Sequence, residues 1–137
     1  MMPSRRTAAG FALGVRLTRL SLRLVGFRRT VGLLRRLPTP MRGRAASPGD
    51  AVRWAHTIGR VAGYPYGATC LDRSVFLWFL MLQRDLDGRI RIGVAFDDDR
   101  LDGHAWIELD GRVVNDEPTI ADDFAVFDQD PTGIVFS

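Results

Sequence analysis

The amino-acid sequence predicts an α+β domain in which helices come first and an antiparallel sheet follows. Two observations carry this prediction. Apolar residues in the first half of the chain recur at helical spacing, whereas residues 89–116 alternate apolar and polar side chains around turn signals, as strands do. A chain of 137 residues is long enough for one such domain and too short for two of ordinary size.

The first helical segment spans residues 11–37. Its apolar residues recur every three or four positions and arginines mostly lie between them, which predicts an amphipathic helix that breaks near Gly26 or Gly32. Soluble monomers rarely leave such a stripe uncovered, so we expect the chain's own domain, or else a partner protein, to cover it. The apolar positions are Leu13, Leu17, Leu20, Leu24, Phe27, Val31 and Leu34.

Two further helices are predicted after a linker at residues 38–49. Ser47, Pro48 and Asp50 supply an N-cap, a first-turn proline and a first-turn acid for a helix over about residues 48–62. The next segment, 70–84, lacks glycine and proline and has apolar residues around nearly its whole circumference. This pattern predicts a central, buried helix.

Strands are predicted from residue 89 onward. The segment "RIRIGVAF" alternates as a strand with one buried face. A polar loop, "DDDRLDG", follows, and then a hairpin made of "HAWIEL", "DG" and "RVVND". One or two short closing strands come last. The predicted buried face of the first strand consists of Ile90, Ile92, Val94 and Phe96, and the closing strands are indicated by Phe124, Val126, Ile134 and Val135.

Charge divides the chain into a basic arm, residues 1–47, and a domain, residues 48–137. Residues 1–49 carry 11 arginines and no acid, whereas residues 50–137 carry 8 arginines against 16 acids. So basic an arm indicates an anionic partner: a membrane surface, nucleic acid, an acidic protein, or its own acidic domain. We expect its own domain first, a protein next, peripheral membrane contact as a further option, and no nucleic acid.

Composition also bears on cofactors and compartment. One cysteine cannot form an intramolecular disulfide, and no short Cys/His cluster has metal-ligand spacing, so we expect neither a metal nor another cofactor. No stretch approaches the ~20 apolar residues of a membrane-spanning helix. We therefore expect a cytoplasmic protein in a reducing compartment.

Cys70 opens the predicted central helix and is the only cysteine in the chain. A helix N-terminus stabilises a thiolate through the helix dipole and unpaired backbone N–H groups, and the same N–H groups can hold an oxyanion. A lone cysteine on an apolar helix is also a common core residue. Position alone therefore does not assign Cys70 a reaction.

His104 and Asp116 supply a base and an acid within the predicted hairpin. With a two-residue turn, His104 and Asp116 lie on opposite faces of the hairpin. With a three-residue turn, in which Gly111 is left-handed, His104 opposes Asp116 and Glu108 opposes Arg112. We predict the second register, because it also pairs an acid with a base across the strands. Two residues before the histidine, Asp102 is a second candidate for the acid.

Three blocks of the sequence resemble a known family. In their order and spacing, "CLDRSVFLWFLM", "RIRIGV" and "GHAWIELDGRVVND" resemble the transglutaminase-like cysteine peptidases of lasso-peptide biosynthesis, specifically the stand-alone protease half of the split leader-processing protein. The resemblance covers about residues 50–128. It implies a papain-like core in which Cys70 is the nucleophile, His104 the base and Asp116 the third member of the triad.

The resemblance also implies a substrate and partners. The enzyme would cut the leader from a ribosomally made precursor peptide, a separate recognition protein would bind the leader, and an ATP-dependent lasso cyclase would receive the core peptide. Tyr64, Tyr66 and Trp106 are further candidates for contacting substrate or donating to an oxyanion, although packing explains each as well. Acyl transfer or deamidation with the same triad, or a non-catalytic binding module, are the alternatives.

Overall fold

Helices precede an antiparallel sheet in the computed structural model of the chain, which describes residues 5–37, 46–61 and 69–126. Within these residues the sheet has four strands in the order β3-β2-β1-β4, and all paired neighbours are antiparallel. The predicted α+β class is confirmed. The elements are α1 Arg5–Leu24, α2 Phe27–Arg36, α3 Pro48–Val61, α4 Cys70–Gln83, β1 Arg89–Asp97, β2 Arg100–Leu109, β3 Arg112–Val113, a 3-10 turn Ile120–Asp123, and β4 Ala125–Val126.

The basic arm is a helical pair with a sharp break. Gly26 has a φ of 89°, a left-handed conformation that glycine adopts at little cost, so the predicted break falls at this residue. Across the break the hydroxyl oxygens of Ser21 and Thr30 lie 2.7 Å apart in a hydrogen bond. This bond links α1 to α2 across the break. The linker at 38–45 lies outside the described residues.

Helix α1 packs back onto the rest of the domain. Val15 is buried, and the Phe11 ring meets the Phe76 ring of α4 edge to face with centroids 5.7 Å apart. Arg19 forms an ion pair with the buried Asp72 of α4 at 3.9 Å. From α2, Val31 is buried and the Arg35 guanidinium lies 5.7 Å from the centre of the Trp78 ring. The arm is therefore part of the packed structure.

The side of α1 that packs on the domain is not the leucine stripe from which the sequence predicted an amphipathic helix. Phe11, Val15, Thr18 and Leu22 lie on the side that meets the domain. At 100° per residue the leucine stripe lies on the opposite side of the helix. Its members remain exposed: Leu13 by 58%, Leu17 by 57%, Leu20 by 53% and Leu24 by 73%. The expectation that the domain covers these leucines is wrong.

Helix α4 is the centre of the core, as predicted. Val75, Leu77 and Met81 are fully buried, and α4 packs against the sheet and against α1, α2 and α3. Helix α3 begins where the sequence predicts: the Ser47 N–H donates to the Asp50 carboxylate, and the Asp50 N–H donates to the Ser47 hydroxyl. These caps fix where α3 starts and where its buried face lies.

The β1–β2 hairpin is longer than predicted. The polar segment 97–103 is not a loop: Asp98 and Asp99, with φ of 47° and 70°, form a two-residue turn, and β2 begins at Arg100. Phe96, predicted to be buried, is 82% exposed because it pairs with Leu101 near the hairpin tip, away from the buried Ile90–Ile107 pair. The predicted closing strand at Val126 is present as β4, and residues 134 and 135 lie outside the described residues.

None of the helices in the described ranges has both the length and the apolar character needed to cross a bilayer.

Gly14 allows α1 to approach α4, which gives a testable prediction. A Cβ at Gly14 would lie 2.3 Å from Cε1 of Phe76, whereas a Cβ at Gly10 would meet nothing within 4 Å. Gly14→Ala should lower the free energy of unfolding by about 1–3 kcal/mol through overpacking. On the same helix Gly10→Ala should raise it by up to about 1 kcal/mol. Equal effects of the two substitutions in urea denaturation would contradict this packing.

Candidate active site

A cavity of about 260 Å³ lies where α3, the start of α4, strand β2 and the segment after β3 meet. Cys70, His104 and Asp116, the three residues predicted from the sequence, all line it. The structure therefore brings together residues that are separated by up to 46 positions in the chain. The other lining residues are Ala55, Ile58, Gly59, Arg73, Leu77, Ala105 and Asn115.

Cys70 is the first residue of α4 and is half-buried. Thr69 is the N-cap: its hydroxyl accepts from the Asp72 N–H at 3.2 Å, and the Asp72 carboxylate accepts from the Thr69 N–H at 2.9 Å. The capping box uses these two donors, so the N–H groups of Cys70 and Leu71 stay outside both the box and the helical ladder. Both N–H groups belong to the first turn of the helix that carries the thiol.

His104 lies in the middle of β2, not at the start of a strand as predicted, because β2 begins four residues earlier. Its ring stacks on Phe124 with centroids 5.2 Å apart and lies 5.9 Å from the Trp106 ring. Opposite His104 is Gly93, where a Cβ would come within 2.7 Å of the Phe124 Cβ. The missing side chain at Gly93 makes room for the rings that hold the imidazole.

The predicted register of the β2–β3 hairpin is wrong. Leu109 pairs with Arg112, and Asp110 and Gly111 form a two-residue turn with φ of 52° and 77°. Positive φ at both central residues is typical of a type I′ turn, whose twist matches that of the flanking strands. The prediction of positive φ at Gly111 is confirmed, but the three-residue turn is not formed.

Asp116 nevertheless reaches His104, because the chain leaves the sheet soon after β3. The Val114 N–H still donates to the Ile107 carbonyl at 2.9 Å, but the Ile107 N–H donates at 2.8 Å to the side-chain oxygen of Asn115. The side-chain oxygen of Asn115 thus takes the place of a main-chain carbonyl as the acceptor for the Ile107 N–H. Because the backbone leaves the sheet here, Asp116 reaches the imidazole of His104. A regular ladder in this register would have placed Asp116 on the opposite face of the sheet.

The Asp116 carboxylate is fixed at both oxygens. Oδ2 lies 2.5 Å from Nε2 of His104, and Oδ1 accepts from the Glu117 N–H at 2.8 Å. An ionised carboxylate only accepts hydrogen bonds, so Nε2 carries the hydrogen and Nδ1 of a neutral imidazole is left as the acceptor. The competing candidate, Asp102, is exposed.

The thiol and the imidazole line the same cavity without a hydrogen bond between them in the described part of the chain. Such contacts are often long in ligand-free sites and shorten when substrate binds. The arrangement therefore supplies a cysteine at a helix N-terminus, a base with its acceptor nitrogen available, and an acid that orients the base.

Ser74 and Asn115 are two residues of the site that the sequence did not reveal. The fully buried Ser74 hydroxyl donates to the Ala105 carbonyl at 3.3 Å and accepts from Nδ2 of Asn115 at 3.0 Å. Ala105 follows His104 in the sequence, and Asn115 precedes Asp116. The two bonds therefore connect α4, which carries Cys70, to both of the segments that carry the other site residues. One signal was present: Ser74 is a polar residue one turn after Cys70, on a helix that is otherwise apolar nearly all round.

The other candidates lie elsewhere. Tyr64 and Tyr66 fall in 62–68, outside the described residues. Trp106 is fully buried; its indole N–H donates to the Glu108 carboxylate at 2.9 Å, and its ring lies beside that of His104. Its observed contacts therefore support the imidazole. Within the described ranges no group of three or more His, Cys, Asp or Glu side chains could hold a metal ion.

An α+β fold with a cysteine, a histidine and an aspartate at one cavity has the composition of a nucleophilic cysteine site. A family model described as "Transglutaminase-like superfamily" matches residues 14–128, which is most of the chain and includes most of α1 and all of α2. The chain therefore belongs to the transglutaminase-like superfamily, whose members are commonly cysteine enzymes. Searches of curated proteins and of solved structures gave no match.

Coupling between Ser74 and Asn115 can be measured directly. Each alanine substitution should lower the free energy of unfolding by about 1–3 kcal/mol, because it leaves buried polar partners unsatisfied. The double variant should lose less than the sum, with a coupling energy of about 0.5–3 kcal/mol in a denaturation cycle. As a control, Ser21→Ala removes a hydroxyl from a different hydrogen bond and should add to Asn115→Ala. Additivity for Ser74 and Asn115 would contradict the shared network.

Proposed function

We propose that this chain is a cysteine peptidase that removes the leader from a ribosomally synthesised lasso-peptide precursor. The observation that carries the chemistry is the single cavity lined by Cys70, His104 and Asp116. Membership of a superfamily of peptidase and acyltransferase type supports the reaction class. The substrate class rests on the resemblance of the three sequence blocks to the stand-alone lasso leader peptidases.

In the first half of the proposed reaction, Nδ1 of His104 takes the thiol proton and the Cys70 sulfur attacks the scissile carbonyl carbon. A C–S bond forms and the carbonyl oxygen becomes an oxyanion, for which we propose the N–H groups of Cys70 and Leu71 as backbone donors. His104 then gives its proton to the leaving amine as the C–N bond breaks. The leader remains on Cys70 as a thioester.

In the second half, a water molecule attacks the thioester carbonyl carbon while His104 takes a proton from that water. The C–S bond breaks, the leader leaves with a new carboxyl group, and His104 returns its proton to the sulfur, which regenerates the thiol. Asp116 stays ionised throughout and holds the Nε2–H, so that Nδ1 keeps its direction and the imidazolium is stabilised. Tyr64 and Tyr66 remain predicted groove or oxyanion residues.

The proposed substrate sets the partners and the compartment. A separate recognition protein binds the leader and presents the precursor, and an ATP-dependent cyclase closes the ring on the released core peptide. Newly made precursor, ATP and a reduced thiol are all available in the cytoplasm, which is where we place the enzyme. No cofactor enters the proposed reaction.

Cleavage of the precursor tests the function. The full chain, incubated with a leader-recognition protein and a lasso-peptide precursor, should give two fragments whose masses sum to that of the precursor plus one water. Cys70→Ala and Cys70→Ser should reduce this product by several orders of magnitude, because the nucleophile is lost. Wild-type rates in either variant would refute the peptidase proposal.

The products also separate the alternatives. An acyltransferase would give a cross-linked precursor, and a deamidase would leave the backbone intact with a glutamine converted to glutamate. A binding module would keep its function in Cys70→Ala. Any of these three results in place of two hydrolysis fragments would move the assignment away from leader removal.

Asp116 and Asp102 are the two acids predicted as candidates to orient His104, and they provide a matched pair of substitutions. Asp116→Asn should lower kcat by at least about a hundredfold, because the amide can no longer fix the imidazole in its productive tautomer. Asp102→Asn, at an exposed position, should change kcat less than about threefold. If the two substitutions have equal effects on precursor cleavage, Asp116 is not the orienting acid.

A further inference from the structure

The outer side of the basic arm is a surface that the proposed peptidase reaction does not use. Leu13, Leu17, Leu20 and Leu24 form an exposed leucine stripe along α1, on the side of the helix opposite the domain. Leu33, Leu37 and Val25, on or beside α2, are exposed as well. Exposed apolar side chains grouped along one side of a helix mark an interaction site in a soluble protein.

Charge around the leucine stripe is of one sign. Residues 1–49 contain 11 arginines and no acid, and Arg23, Arg28, Arg29 and Arg36 are exposed on α1 and α2. A second copy of this chain is therefore a poor occupant, because pairing two such faces would bring arginines together with no carboxylate from either arm to neutralise them. The occupant must carry negative charge.

A cavity lined by α2 and by Val25, in the turn before it, indicates what kind of ligand this surface could bind. It has a volume of about 320 Å³ and is lined by Val25, Gly32 and Leu33 together with Arg28, Arg29 and Arg36. Arginines and apolar residues that line the same cavity suit a phosphate that is attached to a hydrocarbon chain. A phospholipid has both parts in one molecule.

We propose that α1 and α2 bind the surface of an anionic lipid bilayer, with the leucine stripe inserted at the interface and the arginines on lipid phosphates. Helices with an apolar stripe and an arginine-rich polar face lie flat in this way. An acidic protein fits less well, because protein hot spots are rich in tryptophan and tyrosine and poor in leucine. The exposed apolar side of this arm carries leucine and valine.

Vesicle flotation with the full chain tests the proposal. The protein should float with phosphatidylcholine vesicles that contain phosphatidylglycerol, stay in solution with phosphatidylcholine alone, and lose affinity as salt is raised. Cys70→Ala should bind equally, so the result is independent of the peptidase reaction. Equal binding to both vesicle types, or to neither, would overturn the proposal.

Two sets of variants assign the binding to this face. Replacing all four leucines of the stripe by glutamine should weaken binding by more than about a hundredfold. Arg23→Gln, Arg28→Gln and Arg29→Gln together should also weaken it about a hundredfold, or about fivefold for each arginine. The matched control is Phe96→Gln with Leu101→Gln, which removes the exposed apolar pair of the β1–β2 hairpin and should leave binding unchanged.

Other occupants give different outcomes, each of which would contradict the bilayer. If light scattering shows dimers that the leucine variants dissociate, and vesicles are not bound, the face joins two copies of the chain. If the variants weaken a complex with the recognition protein and vesicles are not bound, the face belongs to that protein. The leucine, arginine and hairpin variants all replace exposed side chains, and circular dichroism with thermal melting checks that each variant folds.

Discussion

Burial of α4 between the sheet and the other helices is the constraint on which both the fold and the candidate site depend. Its core residues Val75, Leu77 and Met81 have no exposed surface, so the helix cannot rotate or slide without opening cavities. Ser74 adds direction to this packing, because its hydroxyl donates to the Ala105 carbonyl of β2. Cys70 therefore occupies a fixed place relative to the strand that carries His104.

The acid of the site depends on a local departure from regular sheet structure. The Asp110–Gly111 turn sets a register in which a continued ladder would place Asp116 on the wrong face. Asn115 ends the ladder with its side chain and also donates to Ser74. The Asn115 amide thus accepts from the N–H of the buried Ile107 in β2, connects that strand to α4 through Ser74, and precedes the residue that contacts His104.

The sequence predicted those features that local chemistry determines. The Ser47–Asp50 cap, the break at Gly26 and the burial of α4 follow from residues close together in the chain. The hairpin register did not follow, because "DG" suits turns of two or three residues. The Asn115 side chain that ends the ladder also lets Asp116 reach His104 without the predicted register. Periodicity also could not say which side of α1 meets the domain: both sides are apolar, and only the tertiary contacts select Val15 over the leucine stripe.

The most direct test of the site is the alkylation rate of Cys70, the only cysteine, because it requires no substrate. A free thiol at neutral pH is only a few per cent thiolate, so a base and a helix N-terminus that act on it should accelerate its reaction with iodoacetamide. We expect the wild-type rate constant at pH 7 to exceed that of His104→Ala by at least about tenfold. Equal rate constants in two folded proteins would contradict the account.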